Sequence, residues 1–243
     1  MHALVDDQVQ LWLAAVPECE EPALPAHYAA LLNADESARW QRFRYPLDQQ
    51  RFLLGRALVR TVLGQLLARD PASLQFSHNA HGKPALREEH GSLPLHFNLS
   101  HTQGMLALAL CRNRAVGVDV ESVRRDVGLL ELSRRFFAVR EHAGLEALDG
   151  TEQCEHFFLL WTLKEAWLKA RGLGLTIPLD DFAFDVSGAQ PRISFGPQLD
   201  EEPADWQFRV YPKHDYRVAL AVHCPEEEAL DVVVKSWQPL LFR

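Results

Sequence analysis

Asp119 and Glu121 stand two residues apart in Gly117-Val118-Asp119-Val120-Glu121. In a strand, side chains two apart share a face. Both carboxylates then look one way, and Val118 and Val120 the other. Carboxylates side by side repel unless a cation, a proton or a basic group comes between them. Paired hard oxygens suit Mg²⁺, which keeps several waters and takes substrate phosphate oxygens. The plainer reading of the same residues is a half-exposed strand with two solvated acids, since D-x-E is a common pattern.

A second group lies in Trp161-Thr162-Leu163-Lys164-Glu165-Ala166-Trp167-Leu168-Lys169. On a helix, Trp161, Glu165 and Lys169 follow one another at i, i+4 and i+8. Glu165 is a candidate third oxygen ligand and Lys169 a candidate phosphate holder. A Glu–Lys surface pair beside two core tryptophans explains the spacing equally well. A third group is His96-Phe97-Asn98-Leu99-Ser100-His101, preceded by Gly82-Lys83-Pro84. Adjacent Ser100 and His101 suggest a nucleophile and its base. Adjacent strand residues face opposite ways, however, and no G-x-S-x-G elbow surrounds the serine. Anion binding through hydroxyl, imidazole and main-chain N–H groups suits them better, with a turn stabilised by polar side chains as the alternative. Gly82 permits a tight turn that aims Lys83, and Pro84 stiffens its exit.

The elements that position these residues show in the periodicity. Asn33 with Glu36 forms a capping-box pattern that opens a helix through about Tyr45. Pro46 interrupts it, and Asp48 starts a longer helix through Leu67. Strand patterns follow at Leu74–Ser77, His96–Ser100, Met105–Cys111 and Val116–Glu121. Helices are expected at Leu129–Phe137, Arg140–Ala147 and Glu152–Arg171, the last closed by Gly172. Strands return at Phe182–Val186, Arg192–Phe195, Trp206–Tyr211 and Tyr216–Cys224. Helices then strands, twice over, reads as an α+β protein of two halves meeting near residue 115. A cleft between halves is a natural ligand site.

Composition narrows the class. The chain has 243 residues, is 47% apolar and carries a formal net charge of −8. That is enough for a sizeable core, and without a long basic run it argues against nucleic acid as a partner. No apolar run is long enough to span a bilayer, and the start lacks a signal peptide's basic and apolar regions. Cys19, Cys111, Cys154 and Cys224 are scattered, which fits a reducing cytoplasm.

Taken in order, the motifs resemble the 4'-phosphopantetheinyl transferases of the surfactin-synthetase type. The matching run is Arg51-Phe52-Leu53-Leu54-Gly55-Arg56, Gly82-Lys83-Pro84, Phe97-Asn98-Leu99-Ser100-His101 and Gly117-Val118-Asp119-Val120-Glu121. Arg135-Phe136-Phe137 with Glu141, then Trp161-Thr162-Leu163-Lys164-Glu165-Ala166 with Lys169 and Gly172-Leu173-Gly174-Leu175, complete it. The resemblance spans roughly residues 33 to 224. The G-[IV]-D-[IV]-E and W-x-x-K-E-[AS]-x-x-K pair is its most specific part. One departure is in the first helix, where the family carries two basic residues about a turn apart. Here the later place holds Arg39 and the earlier Glu36.

The resemblance implies two similar halves about a pseudo-twofold axis, with coenzyme A in the cleft between them. Residues 1–115 would bind its phosphates and adenine; residues 116–243 would carry the Mg²⁺ site and dock the carrier. Asp119, Glu121 and Glu165 match the magnesium carboxylates, and with Lys169 they are the expected catalytic residues. Arg51, Lys83, Ser100 and His101 match phosphate positions, the 3'-phosphate included. Backbone through His78, Asn79, Ala80, His81, Gly82 and Lys83 would border the adenine. Glu141 matches an acid near the reacting centre of some relatives. The implied reaction moves 4'-phosphopantetheine from coenzyme A to a serine of an apo acyl or peptidyl carrier protein, in a cytoplasmic monomer. A non-catalytic coenzyme A or carrier-binding module and a serine hydrolase built on Ser100 and His101 are the rival readings. Val123–Phe137, with Arg124, Arg125, Arg134 and Arg135 among leucines, is the expected docking segment, with leucines at its centre.

Overall fold

A computed structural model describes residues 8–16, 26–87, 95–124 and 128–239, Leu175 by its backbone alone. The first half runs β1 (Gln8–Ala15), α1 (Ala26–Ala29), α2 (Ala34–Gln41), α3 (Pro46–Leu67), β2 (Phe76–His78), β3 (Pro84–Leu86), β4 (Leu95–Thr102) and β5 (Met105–Arg112). The second runs β6 (Val116–Ser122), α4 (Leu129–Phe136), α5 (Val139–Glu146), α6 (Gly150–Arg171), β7 (Phe182–Asp185), β8 (Arg192–Phe195), β9 (Trp206–Lys213) and β10 (Tyr216–His223). It is followed by β11 (Asp231–Ser236).

Strand alternation builds four layers. In β5, Leu106, Leu108 and Leu110 pack with Leu54, Leu58 and Val62 of α3. The intervening Ala107, Ala109 and Cys111 pack on Val118, Val120, Val218 and Leu220 of β6 and β10. In β10, the intervening Ala219 and Ala221 turn the other way, onto Leu163, Ala166 and Trp167 of α6. The order is therefore helix, sheet, sheet, helix, each sheet buried on both faces. The outer helices α3 and α6 are each 22 residues long and end in left-handed backbone, at Ala68 (φ 51°) and Gly172 (φ 67°). This repeated helix-on-sheet unit is the mixed α+β architecture of two halves.

Most expected elements appear within a few residues, and the differences have local reasons. The box of Asn33 and Glu36 caps α2, but that helix stops at Gln41. Pro46 does not separate two helices; it occupies the first turn of α3, where its missing N–H costs nothing. The first half opens on a strand, β1, which lies inside its sheet in the order β11-β1-β5-β4. β11 pairs parallel with β1, Gln8 facing Asp231 and Leu13 facing Ser236. Residues 231–236, late in the chain, therefore join the sheet of the first half. These residues cross back and cover an edge of the first sheet that would otherwise present unpaired main-chain groups. Among the described residues, no helix is long and apolar enough to cross a membrane.

Candidate functional site

Gly117 brings β6 against α6. A Cβ at that position would meet the carbonyl oxygen of Ala166 at 2.1 Å and the nitrogen of Ala170 at 2.3 Å, so only glycine permits this approach. Asp119 and Glu121 share the face of Gly117, two and four residues on. Val118 and Val120 lie in the core between the sheets. On α6, Lys169 reaches back to β6. Its Nζ lies 2.5 Å from Asp119 Oδ1 and 3.0 Å from Ser100 Oγ. Ser100 donates to the same Asp119 oxygen at 2.8 Å, and Thr102 donates to Glu121 Oε2 at 3.2 Å. Asp119 is 3% exposed, and its other oxygen, Oδ2, is buried without a hydrogen-bond partner.

The charges here are unequal in number. Burial raises the Glu165 carboxyl above its ordinary pKa; Lys169 opposes that, and Asp119 and Glu121 reinforce it. Burial disfavours the charge of Lys169, but Asp119, Glu165 and Glu121 outweigh it and raise its pKa. Three carboxylates thus share one ammonium. Among the described residues, no three acidic, histidine or cysteine side chains lie close enough together to hold a metal ion. Lys169 occupies Asp119 Oδ1 instead. The donor set still fits a hard divalent cation: an orphaned, buried carboxylate oxygen on Asp119, with Glu121 and Glu165 near enough to perturb the same groups.

The expected phosphate residues fall into two groups. His101 faces away from Ser100, towards α3. Its pKa is lowered by burial of the ring, then by the positive charges of Lys169 and Arg51. Arg51 is tethered to Asp48 at 3.3 Å. Lys83 is elsewhere. Its Nζ donates to the carbonyls of Ala170 at 2.8 Å and Val116 at 3.3 Å, and burial lowers its pKa to about 8. It perturbs His96, not His101. Its ammonium lies against the carbonyls at the end of α6, and the residue borders the cleft between the halves. His78 ends β2 and pairs with Pro84. From there Asn79 shapes the turn, its Oδ1 accepting from the main-chain nitrogens of His81 (3.0 Å) and Lys83 (2.9 Å). Ala80 lies at the exposed tip, and Gly82 takes φ +86°. A cleft of about 280 Å³ between the halves is bordered by this turn, Asn98, Glu165 and Lys169. A larger hollow of about 510 Å³ beside Arg140, His156 and Phe184 is bordered by none of Asp119, Glu121, Glu165 or Lys169.

Other expectations change. Glu141 is 5% exposed and paired at 2.8 Å with the buried Lys164. Trp161 stacks on Phe157 in the core, 5.8 Å between ring centroids. Ser100 bonds Asp119 and Lys169, so the hydrolase reading lacks its base. Glu36 caps α2 and holds Arg60 at 2.6 Å, while Arg39 lies over the Phe52 ring. Leu129, Leu130, Leu132 and Phe136 pack half-buried against the core of the second half, which leaves Glu131, Arg134 and Arg135 as the exposed part of α4. Arg125 lies outside the described residues. Thr102 and Asn98 were missed as site residues. Their spacing from Ser100, two residues to either side on one strand face, was the available signal.

Residues 21–113 match the N-terminal domain of 4'-phosphopantetheinyl transferase, and residues 115–221 match the 4'-phosphopantetheinyl transferase superfamily. The chain is 33% identical over 219 residues to the 4'-phosphopantetheinyl transferase HetI of a Nostoc species, covering 90% of this chain and 89% of that one. It is also 33% identical to the 4'-phosphopantetheinyl transferase Sfp of Bacillus subtilis, covering 88% and 92%. A phosphopantetheinyl transferase of a Thraustochytrium species is 33% identical over 232 residues, covering 90% and 79%. With both halves matched and a third of the sequence identical to relatives over most of its length, the chain belongs to the 4'-phosphopantetheinyl transferase superfamily and is an enzyme of that kind.

Proposed function

We propose that this transferase moves 4'-phosphopantetheine from coenzyme A to a serine of an apo carrier protein, with Mg²⁺ held by Asp119, Glu121 and Glu165. The observation that carries the reading is the cluster of Asp119, Lys169 and Ser100, of which Lys169 borders the cleft, with Asp119 Oδ2 buried and unpartnered. Bound Mg²⁺ would supply charge neutralisation at the diphosphate. The serine oxygen attacks the phosphorus that bears pantetheine, and the bond to 3',5'-adenosine diphosphate breaks. Both partners carry developing negative charge, so electrostatic stabilisation dominates. Lys169 stabilises the leaving phosphate, and Arg51, Lys83, Ser100 and His101 hold coenzyme A phosphates. The turn from His78 to Lys83 borders the adenine. Glu165 and Glu121 are the carboxylates placed to take the serine proton. The first half serves the nucleotide, the second the reacting centre and the carrier. The scattered cysteines, without C-x-x-C spacing, suit a reducing cytoplasm, and one chain carrying both walls of the cleft suits a monomer. The direct test is intact-mass analysis of an apo acyl or peptidyl carrier protein after incubation with this chain, coenzyme A and Mg²⁺. A phosphopantetheine adduct on the carrier serine is expected; coenzyme A binding without an adduct would favour the binding-module reading.

Two further outcomes follow from the charges. Contacts between a phosphate and Arg51 or His101 are worth ~1.5–3 kcal/mol each. Dephospho-coenzyme A is expected to be the poorer substrate in competition, and Arg51→Ala should narrow the gap. Equal use of the two by the wild-type enzyme overturns the assignment. For the carrier, the net charge of −8 repels an acidic partner, so attraction must be local. Arg124 is 75% exposed and paired with Asp215 at 2.7 Å, and Arg135 is exposed on α4. Charge reversal at both should raise KM for the carrier more than for coenzyme A, most at low ionic strength. An unchanged carrier KM at low salt moves docking elsewhere.

A further inference from the structure

β4 and β6 lie beside one another but belong to different sheets. β4 is laddered to β5, and β6 to β10. On its other side, β6 meets side chains of β4. The Val118 N–H donates to Asn98 Oδ1 at 2.9 Å, and the Val120 N–H approaches Ser100 Oγ at 3.4 Å. Asp119 is the residue between those two amides. The first contact is the closer and is buried at both ends; Asn98 is 7% exposed and Val118 0%. A second tie joins the halves at the end of α6, where Asn79 Nδ2 donates to the Gly172 carbonyl at 2.7 Å and Lys83 Nζ to that of Ala170. The first tie sets β6, which carries Asp119; the second sets the helix end near Lys169.

We infer that Asn98 is a positioning residue for the transfer reaction: by accepting the Val118 N–H it sets the register of β6 against β4 and so seats the Asp119 carboxylate between Ser100 and Lys169. This rests on the reading of Asp119 as catalytic. An asparagine stands here in place of a main-chain rung because the two strands belong to separate sheets, and a buried amide must find its acceptor somewhere. The side chain is short and held at both ends, so it fixes a distance as well as satisfying a donor. Misplacing a reacting group by about 1 Å costs about a hundredfold in rate.

The competing role for Asn98 is direct contact with coenzyme A, since it borders the cleft. The two roles separate with two variants and two readouts in the full chain. Asn98→Ala removes the acceptor. It is expected to lower kcat by at least about tenfold with KM for coenzyme A changed little. It should also speed hydrogen exchange of the Val118 amide in the substrate-free protein. Asn98→Asp keeps an acceptor oxygen for Val118. It should restore slow exchange and most of kcat, while its negative charge raises KM for coenzyme A. A raised KM with kcat retained in Asn98→Ala overturns the inference in favour of direct contact. So does a Val118 amide as protected as in the wild type. If Asn98→Ala does not fold, Asn98→Asp decides alone, and fast exchange or lost kcat there overturns the inference. The exchange readout needs no substrate, so it stands or falls independently of whether Asp119→Ala abolishes transfer.

Discussion

Asp119→Ala is expected to lower transfer by about 10²–10³-fold, the scale of losing a main electrostatic group at a reacting centre. Three observations converge on this residue. Its Oδ1 takes the Lys169 ammonium at 2.5 Å and the Ser100 hydroxyl at 2.8 Å, and its Oδ2 is buried with no partner. An unpaired carboxylate oxygen inside a protein is costly, so it persists where a ligand uses it. The fold should survive the change. Lys169 is 30% exposed and can turn its ammonium to water once Asp119 is gone. Single-turnover transfer from a fluorescent coenzyme A reads the activity, and thermal melting reads the fold. Isothermal titration with Mg²⁺ in the coenzyme A complex should show weaker binding in the variant. Turnover near the wild-type rate would remove Asp119 from the mechanism.

Glu141→Ala should instead cost stability, by about 3–5 kcal/mol. The Glu141 and Lys164 side chains are 2% and 0% exposed and lie 2.8 Å apart. Lys164 also donates to the carbonyls of Phe182 (2.6 Å) and Leu179 (2.7 Å). Glu141 accepts from the main-chain nitrogens of Phe184 (2.8 Å) and Ala138 (3.0 Å). The pair thus ties α5 and β7 to α6. Removing the acid leaves a buried ammonium with no counter-charge. Burial already holds Lys164 below its ordinary pKa of 10.5, with Glu141 opposing the shift, so the variant's lysine should fall further. A lysine depressed in the folded state binds more protons unfolded than folded at pH values between its folded and unfolded pKa. Stability in that window rises with pH. The deficit of Glu141→Ala should therefore shrink as pH is raised from neutral towards the unfolded lysine pKa. Urea melts across that range measure it, and the double variant Glu141→Ala with Lys164→Met should recover part of the loss at neutral pH. A neutral-pH stability equal to that of the wild type would mean that the pair is not the tie described.

Local periodicity was readable directly. Alternation in Gly117–Glu121 put Asp119 and Glu121 on one face and the valines on the other, which is how β6 lies. The 22-residue α6 and its glycine stop were visible in the run ending at Gly172. Motif spacing carried the family resemblance, and with it Glu165 and Lys169. What it did not show were particular pairings between residues distant in the chain. β1 and β11 are short apolar runs whose identity as strands comes from pairing with each other across more than two hundred residues. Lys83, a phosphate residue by resemblance, has carbonyl partners on β6 and α6 that no local pattern reveals. Glu141 looks like any helix acid until Lys164 is seen beside it. Asn98 was quoted in a motif and given no task, because the amide that it satisfies is twenty residues away on a strand of another sheet. Residue spacing determines which side chains share a face, since helix and strand geometry are set by the local backbone. Which faces meet is decided by the packing of the two sheets between their helices, and that alone assigns a buried polar group to chemistry or to support.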